Sequence, residues 1–273
     1  MTPKFREFNS TKFALGDAAA LSESELKSLD SLLGTIQTKS SYHSSSISKA
    51  EFDVVVKMVN QWPKDCQGPV LNLLRMAVMH PEFAATMSAP DAASAGKPGD
   101  LLAPLLKLAL SADKSVLSLL ALRALVNCFS RRAVAKKVLA PRYEEVLEGV
   151  SAAARKYPED QNVRLSVVAV YINFAILFAE DPRAYEQSKV LLLTSVQELL
   201  QAAAADAKVA YRCAIVIGTL AYNDANVTEL ARDLDILDAV NAAANSAAGK
   251  ADPSMQQVAA ELQQLIKLAG AAK

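Results

Sequence analysis

The sequence predicts an all-α fold of short helices stacked in series, and three observations carry that reading: composition, helix punctuation and an internal repeat. Alanine and leucine dominate the 273 residues; aromatic residues make up 6 %, with 9 glycines and 11 prolines. A sheet would need β-branched and aromatic residues between Gly-rich turns, whereas Ala and Leu are strong helix formers. The hydrophobic share of 52 % is enough for a continuous core.

Punctuation recurs along the whole chain. Ser22-Glu23-Ser24-Glu25 and Ser48-Lys49-Ala50-Glu51 both read as capping boxes, in which the serine accepts from an early backbone N–H and the glutamate reaches back. Pro63, Pro69, Pro81, Pro141, Pro158, Pro182 and Pro253 fall where helices start or break, positions that tolerate a missing N–H. Helices are expected at about 22–37, 48–61, 69–80, 81–88, 100–111, 114–129, 131–140, 142–156, 160–180, 183–204, 206–222, 226–247 and 253–270. A serine-rich loop at 38–47 and a Pro/Gly-containing loop at 88–100 separate some of them, and residues 1–20 are expected to be an irregular segment packed on the rest. Loop 38–47 is expected to be dispensable, because loop length enters stability only logarithmically. No Gly/Ser linker divides the chain, so one domain over 1–273 is expected.

The internal repeat gives the architecture. VLNLLRMAVMHP (70–81), LSLLALRALVNCF (117–129), RLSVVAVYINFAI (164–176) and VAYRCAIVIGTL (209–220) are each an apolar helix with a polar interruption. Arg75 and Arg123 are 48 residues apart, Asn127 and Asn173 are 46 apart, and Arg123 and Arg212 are 89 apart, close to two such steps. Periods of about 40–47 residues mark armadillo and HEAT arrays. The expected fold is therefore an armadillo-like helical repeat superhelix, an α-solenoid, whose inner helices are apolar nearly all round. The register is imperfect: aligning Asn127 with Asn173 puts Ala169 where Arg123 sits, and Arg164 falls on another face.

Several classes are disfavoured. Acidic and basic residues number 29 each, so net charge lends no support to a nucleic-acid or membrane-surface role. The distribution is uneven: seven basic and no acidic residues lie from Lys114 to Arg142, against five acidic and one basic from Asp224 to Asp238. The basic stretch lacks interleaved exposed aromatics and reads more readily as a wall of a peptide groove than as a nucleic-acid patch. Cys66, Cys128 and Cys213 are odd in number and far apart, which suits a reducing compartment; a cytoplasmic and nuclear location is expected. The Asn-x-Thr triplets at Asn9 and Asn226 carry no weight there. The N-terminus reads as neither signal nor transit peptide. The longest uncharged run, 165–179, is shorter than the roughly 20 apolar residues of a membrane span, so none is expected. With only His43 and His80 there is little from which to build a nucleophile–base pair, and no phosphate loop or zinc spacing occurs. Neither catalysis nor a cofactor or metal is expected.

At LLRMAVMHP, LALRALVNCF and YRCAIVIGTLAYNDANVTELA the chain resembles the PUL domain, the C-terminal module of ubiquitin-pathway proteins related to phospholipase-activating protein. PKFREFNSTKF is similar to the family's opening strand-like segment, and WPKDCQGPVLNLLR to its first helix pair, so the likeness covers nearly the whole chain. The resemblance implies an armadillo-like superhelix with a basic concave groove. It implies as partner the C-terminal tail of the hexameric AAA ATPase that extracts ubiquitylated proteins (the valosin-containing protein type). Family arginines would match Arg75 and Arg212 here. In relatives the module follows a β-propeller and a ubiquitin-binding domain, or joins thioredoxin-like or isopeptidase-like domains; this chain is expected to be a fragment or a stand-alone form, and monomeric.

The candidate partner-binding residues are Arg75, Arg123, Asn127, Asn173, Arg212 and His80. The arginines interrupt apolar helices, where a charge is costly unless it is paired or lines a wet groove. They are either groove residues or members of interhelical ion pairs; the planar fork of arginine suits a carboxylate ligand. Asn127 and Asn173 lie one turn further along, to bond an extended peptide backbone or to cap a neighbouring helix end. His80, before Pro81, is a candidate at the groove or a contact to a terminal carbonyl. Trp62 is core or an inter-repeat wedge, or else a binding platform. An import-receptor-like groove for basic peptides would want acidic residues and a Trp/Asn ladder; an isopeptidase would need one of the cysteines.

Overall fold

The structure is a computed structural model and describes residues 2–14, 17–37, 45–111, 114–181, 183–222 and 224–271. Among these residues every regular element is helical and none is a strand. Contacts divide the chain into two compact units, Met1–Arg142 and Tyr143–Lys273.

Unit 1 holds α1 (Thr2–Lys12), α2 (Glu23–Gln37), α3 (Lys49–Gln61), α4 (Gln67–Ala77), α5 (Pro81–Met87), α6 (Pro90–Ala93), α7 (Leu102–Ser111), α8 (Ser115–Cys128) and α9 (Arg132–Val134). α9 runs on through a π-helical stretch, Ala135–Leu139, and a 3-10 turn, Ala140–Arg142. Both capping boxes form. Ser22 N–H donates to Glu25 Oε2 at 2.7 Å while Glu25 N–H donates to Ser22 Oγ at 3.3 Å, and Ser48 and Glu51 repeat the exchange. The far end of α3 is closed by a buried side chain: Gln67 Nε2 donates to the carbonyls of Val59 and Trp62, and joins the Trp62 N–H on the carbonyl of Met58. α2 packs on α3, α3 on α4, and α8 on both α4 and α7. Leu71, Leu74, Leu105, Leu122 and Leu125 are among the core residues.

Unit 2 holds α10 (Tyr143–Lys156), α11 (Gln161–Ala179), α12 (Glu186–Ala202), α13 (Ala207–Ala221), α14 (Ala225–Asp233), α15 (Ile236–Asn245), α16 (Ala247–Lys250) and α17 (Pro253–Ala271). Aspartates open its helices: Asp160, Asp206 and Asp224 accept from the first-turn N–H groups of α11, α13 and α14, where both the free donors and the helix dipole favour a carboxylate. α13 is central, packing on α11 and on α17. By length and composition α11 is apolar enough to cross a membrane, its best window having a mean hydropathy of 1.7 and being 50 % buried. Those apolar residues serve as core, with Val163, Val167, Val170, Tyr171, Phe174 and Phe178 all buried. The reading of 165–179 as too short for a span counted only the uncharged run; the helix is longer because Arg164 lies inside it, paired with Asp206 at 2.9 Å.

Four local expectations are corrected. Residues 2–12 are a helix, not an irregular or strand-like segment. Phe5 and Phe8 repeat at helical spacing, and α1 is fastened by Phe5 against Trp62 (6.1 Å between rings) and by Asn9, which exchanges two hydrogen bonds with Leu21. The stretch 88–100 contains α6, and Asp100 braces its end by accepting from Gly96, Leu102 and Ala103; Gly96 has φ 73°, open to glycine at no cost. The helix expected at 226–247 breaks at Asp235, whose φ of 50° is a left-handed conformation that Asp tolerates better than most residues. Finally, loop 38–47 is not uniformly dispensable. Residues 38–44 lie outside the described residues, but Ile47 is buried and its N–H donates to Glu82 Oε2 at 2.6 Å.

Candidate functional site

In unit 1 the polar interruptions of α4 and α8 meet. Arg75 is half-buried, and its guanidinium donates to Asn72 Oδ1 at 2.8 Å. Its backbone carbonyl, in the last turn of α4, accepts from Asn127 Nδ2 of α8 at 2.7 Å. Arg131 then donates to the Met79 carbonyl just beyond α4. Asn127 thus takes the helix-capping alternative, supplying the end of α4 with a donor its own helix lacks. Arg123, one turn before Asn127, is exposed. Among the described residues neither Arg75 nor Arg123 reaches a carboxylate.

Unit 2 treats the same kind of residue differently. Asn173 is half-buried and donates to the Ala169 carbonyl one turn back in its own α11, so it links no neighbour. Arg212 is exposed on α13, with no ion pair or side-chain hydrogen bond among the described residues. Beyond it, α11, α13 and α17 border an apolar groove of about 490 Å³, whose lining includes Ala214, Ile215, Gly218, Tyr222, Leu262 and Leu265. Gly218 is there for helix packing: a Cβ on it would lie 3.3 Å from Leu262 Cδ2. The sequence reading missed this surface. Its signal was present, because Ile215, Thr219 and Tyr222 continue the face of Arg212 at three- and four-residue steps.

His80 requires a correction. It is fully buried, so its ring cannot reach a partner, and it caps the start of α5 instead of contacting a carbonyl at the end of α4. Nδ1 accepts from Glu82 N–H at 3.3 Å, which leaves the proton on Nε2, 3.0 Å from Ser45 Oγ. Burial holds the ring below its ordinary pKa, with Arg131 acting in the same direction against Glu82 and Glu51. Trp62 is a core wedge: it is buried against Phe5 and Phe13, and its indole N–H donates to Ala19. The basic stretch from Lys114 to Arg142 is not one wall. Arg131 is tied to Met79, and Arg142 forms a buried pair with Asp100 at 2.7 Å.

Chemistry by thiolate finds poor conditions here. All three cysteines are buried, and burial pushes the Cys128 thiol up to about 12 and those of Cys66 and Cys213 upward as well. His43 lies outside the described residues. Among the described residues no three His, Cys, Asp or Glu side chains gather as they would around a metal ion.

Two crystal structures of engineered proteins share the fold, each with a TM-score of 0.61 and 17 % identity; one match covers 98 % of this chain and 96 % of that one, the other 96 % and 98 %. That likeness concerns architecture alone. A phospholipase A-2-activating protein from Xenopus laevis is 25 % identical over 217 residues, which are 79 % of this chain. The chain spans about a quarter of that relative's length. The PUL domain model matches residues 1–261, and with that match covering nearly all of the chain, the protein belongs to the PUL domain family.

Proposed function

We propose that this PUL domain is a non-catalytic protein-interaction module whose exposed Arg212 receives a carboxylate of the acidic C-terminal tail of a hexameric AAA ATPase of the valosin-containing protein type, and that it thereby couples such an ATPase to ubiquitin-dependent protein handling. The observation that carries the reading is Arg212, a cation in the middle of an apolar helix that is neither buried nor paired among the described residues. Arg123 has the same character in unit 1. An arginine kept at the surface of a core helix is set to donate in a forked geometry to a carboxylate brought from outside. The ubiquitin link and the identity of the ATPase rest on the family.

Calorimetric titration with an acidic peptide ending in a free carboxylate tests the reading, with the amidated peptide as its pair. Saturable binding that weakens on amidation is expected, because a charge-assisted hydrogen bond contributes about 1.5–3 kcal/mol. No binding of either peptide at low salt, or turnover of a ubiquitin conjugate by the pure chain, would refute it.

A further inference from the structure

Unit 2 holds a second groove, of about 510 Å³, between α10 and α12. Neither helix carries Arg212. Glu144, Glu148 and Arg155 recur on one face of α10, and Leu191, Ser195 and Glu198 on one face of α12, at the spacings that put helical side chains in a row. Arg155 and Glu198, each about half exposed, pair at 2.9 Å, and among the described residues the other two carboxylates have no cation. Glu144 accepts from the Tyr143 hydroxyl; Glu148 makes no ion pair or side-chain hydrogen bond among the described residues. Two carboxylates one helical turn apart repel each other unless a cation comes between them. The floor of the groove supplies an independent sign. Ser195 is 8 % exposed, and its hydroxyl makes no hydrogen bond among the described residues. Ser151, on the α10 side, is instead satisfied by the Leu147 carbonyl and the Tyr171 hydroxyl. Ser195 lines both the groove and an adjoining cavity of about 60 Å³, and a hydroxyl that deep has its hydrogen bond still to make with whatever occupies them.

We propose that this groove receives an extended, arginine-bearing segment of a protein partner. Charge selects it: three carboxylates face one arginine, so an acidic or wholly apolar ligand would leave Glu144 and Glu148 unmatched. A metal ion is a poorer fit, since no three His, Cys, Asp or Glu side chains among the described residues gather around one point. Arginine suits because its fork of donors can serve Glu148 and the Ser195 hydroxyl together, while its stem lies on Leu191. Spacing sets the pattern. Glu144 and Glu148 stand one turn apart, about 6 Å along the helix, and alternate residues of an extended chain are about 6–7 Å apart on one side. The segment therefore carries basic residues at alternate positions. The inference stands apart from the reading of Arg212, since the two sites prefer ligands of opposite charge.

Fluorescence anisotropy with two labelled peptides at low salt tests this. One carries arginine at two positions separated by a single residue; the other carries glutamine at both. The arginine peptide is expected to bind the wild-type chain saturably and about tenfold more tightly, the share of two partly exposed ion pairs, and to lose that lead as salt screens them. Glu144→Gln with Glu148→Gln should remove the difference between the peptides, and Arg212→Glu should leave it in place. Ser195→Ala should weaken the arginine peptide severalfold with an unchanged melt, because no bond within the fold depends on that hydroxyl. Asp233→Asn with Asp238→Asn, which neutralises exposed carboxylates on α14 and α15 of the same unit, should bind as wild type does. Circular dichroism confirms that each variant folds. Equal affinity of the two peptides for wild type overturns the proposal, and so does an arginine preference that survives Glu144→Gln with Glu148→Gln or is untouched by Ser195→Ala. A preference lost equally in the Asp233→Asn and Asp238→Asn variant would assign it to the field of the whole unit, which also overturns the groove. Self-association of wild type that Glu144→Gln with Glu148→Gln abolishes would put a second copy there, with the same consequence.

Discussion

The two units use the same residue types on comparable helices for opposite purposes. In unit 1 polar groups at α4 and α8 join the helices: Asn127 of α8 caps the end of α4 and Arg131, just past α8, takes the Met79 carbonyl, while Arg75 bonds Asn72 within α4. In unit 2 Asn173 bonds its own helix, Arg212 is exposed and unpaired among the described residues, and an apolar groove lies further along the same helix. A polar interruption in a repeat helix therefore has no fixed meaning. Where the next helix ends nearby, its orphan carbonyls capture the side chain; where they are absent, the side chain remains available to a ligand. Substitutions at equivalent positions should cost stability in one unit and affinity in the other.

The largest expected effects concern what the units share. Each contains a buried ion pair, Arg142–Asp100 at 2.7 Å in unit 1 and Lys189–Asp224 at 2.5 Å in unit 2. Removing one partner takes a counter-charge from a largely dry environment, so Asp100→Ala and Asp224→Ala should each destabilise by about 3 kcal/mol. Denaturant melts of both variants check this; a cost well under about 1 kcal/mol, the range of exposed pairs, would show that water reaches them.

Next in size is the contrast between the asparagines. Asn127→Ala removes the donor that closes α4 and should cost about 1–2 kcal/mol. Asn173→Ala gives up a bond to a carbonyl within its own helix and should stay within about 0.5 kcal/mol. Equal costs for the two would erase the distinction drawn between the units.

A smaller effect depends on pH. His80 is buried neutral, and its pKa lies below the ordinary 6.5. Because the unfolded chain takes up the proton first, stability is complete above about pH 6.5 and declines as pH falls toward the folded value. His80→Asn retains a capping side chain and should flatten that part of the profile. The decline is checked by melts across the acid range in wild type and variant; an unchanged profile in the variant would assign it to other groups.

Helices were legible in the sequence because alanine, leucine and Ser-x-x-Glu boxes act locally. Both boxes at Ser22 and Ser48 form as the spacing implies. The failures are all matters of tertiary context. Nothing local in TPKFREFNSTK announces that Trp62 awaits Phe5, or that Asn9 will exchange bonds with Leu21. Asp235 could carry a left-handed turn, but whether it does depends on how α14 and α15 pack. His80 looked accessible because a histidine before Pro81 ends one helix and starts the next; only the fold shows that it caps the second while buried. Among the candidate arginines the 48-residue spacing located Arg75 and Arg123 on helices that pack on each other, α4 and α8, yet periodicity could not tell which guanidinium would find Asn72 and which would find water. The groove beside Arg212 went unseen because exposed apolar residues on an apolar helix look like core until the neighbouring helix is in place.

The most direct test of the account compares Arg212→Glu with Arg75→Glu by titrating each with an acidic C-terminal peptide beside its thermal melt. Arg212 is exposed and makes no ion pair or side-chain hydrogen bond among the described residues, so Arg212→Glu should weaken the peptide by tenfold or more with its melting temperature unchanged, in line with a charge-assisted bond contributing about 1.5–3 kcal/mol. Arg75→Glu, which loses the bond to Asn72 in a half-buried setting, should lower the melting temperature, with any loss of affinity following from the loss of fold. A folded Arg212→Glu protein that binds the peptide as tightly as wild type would contradict the assignment.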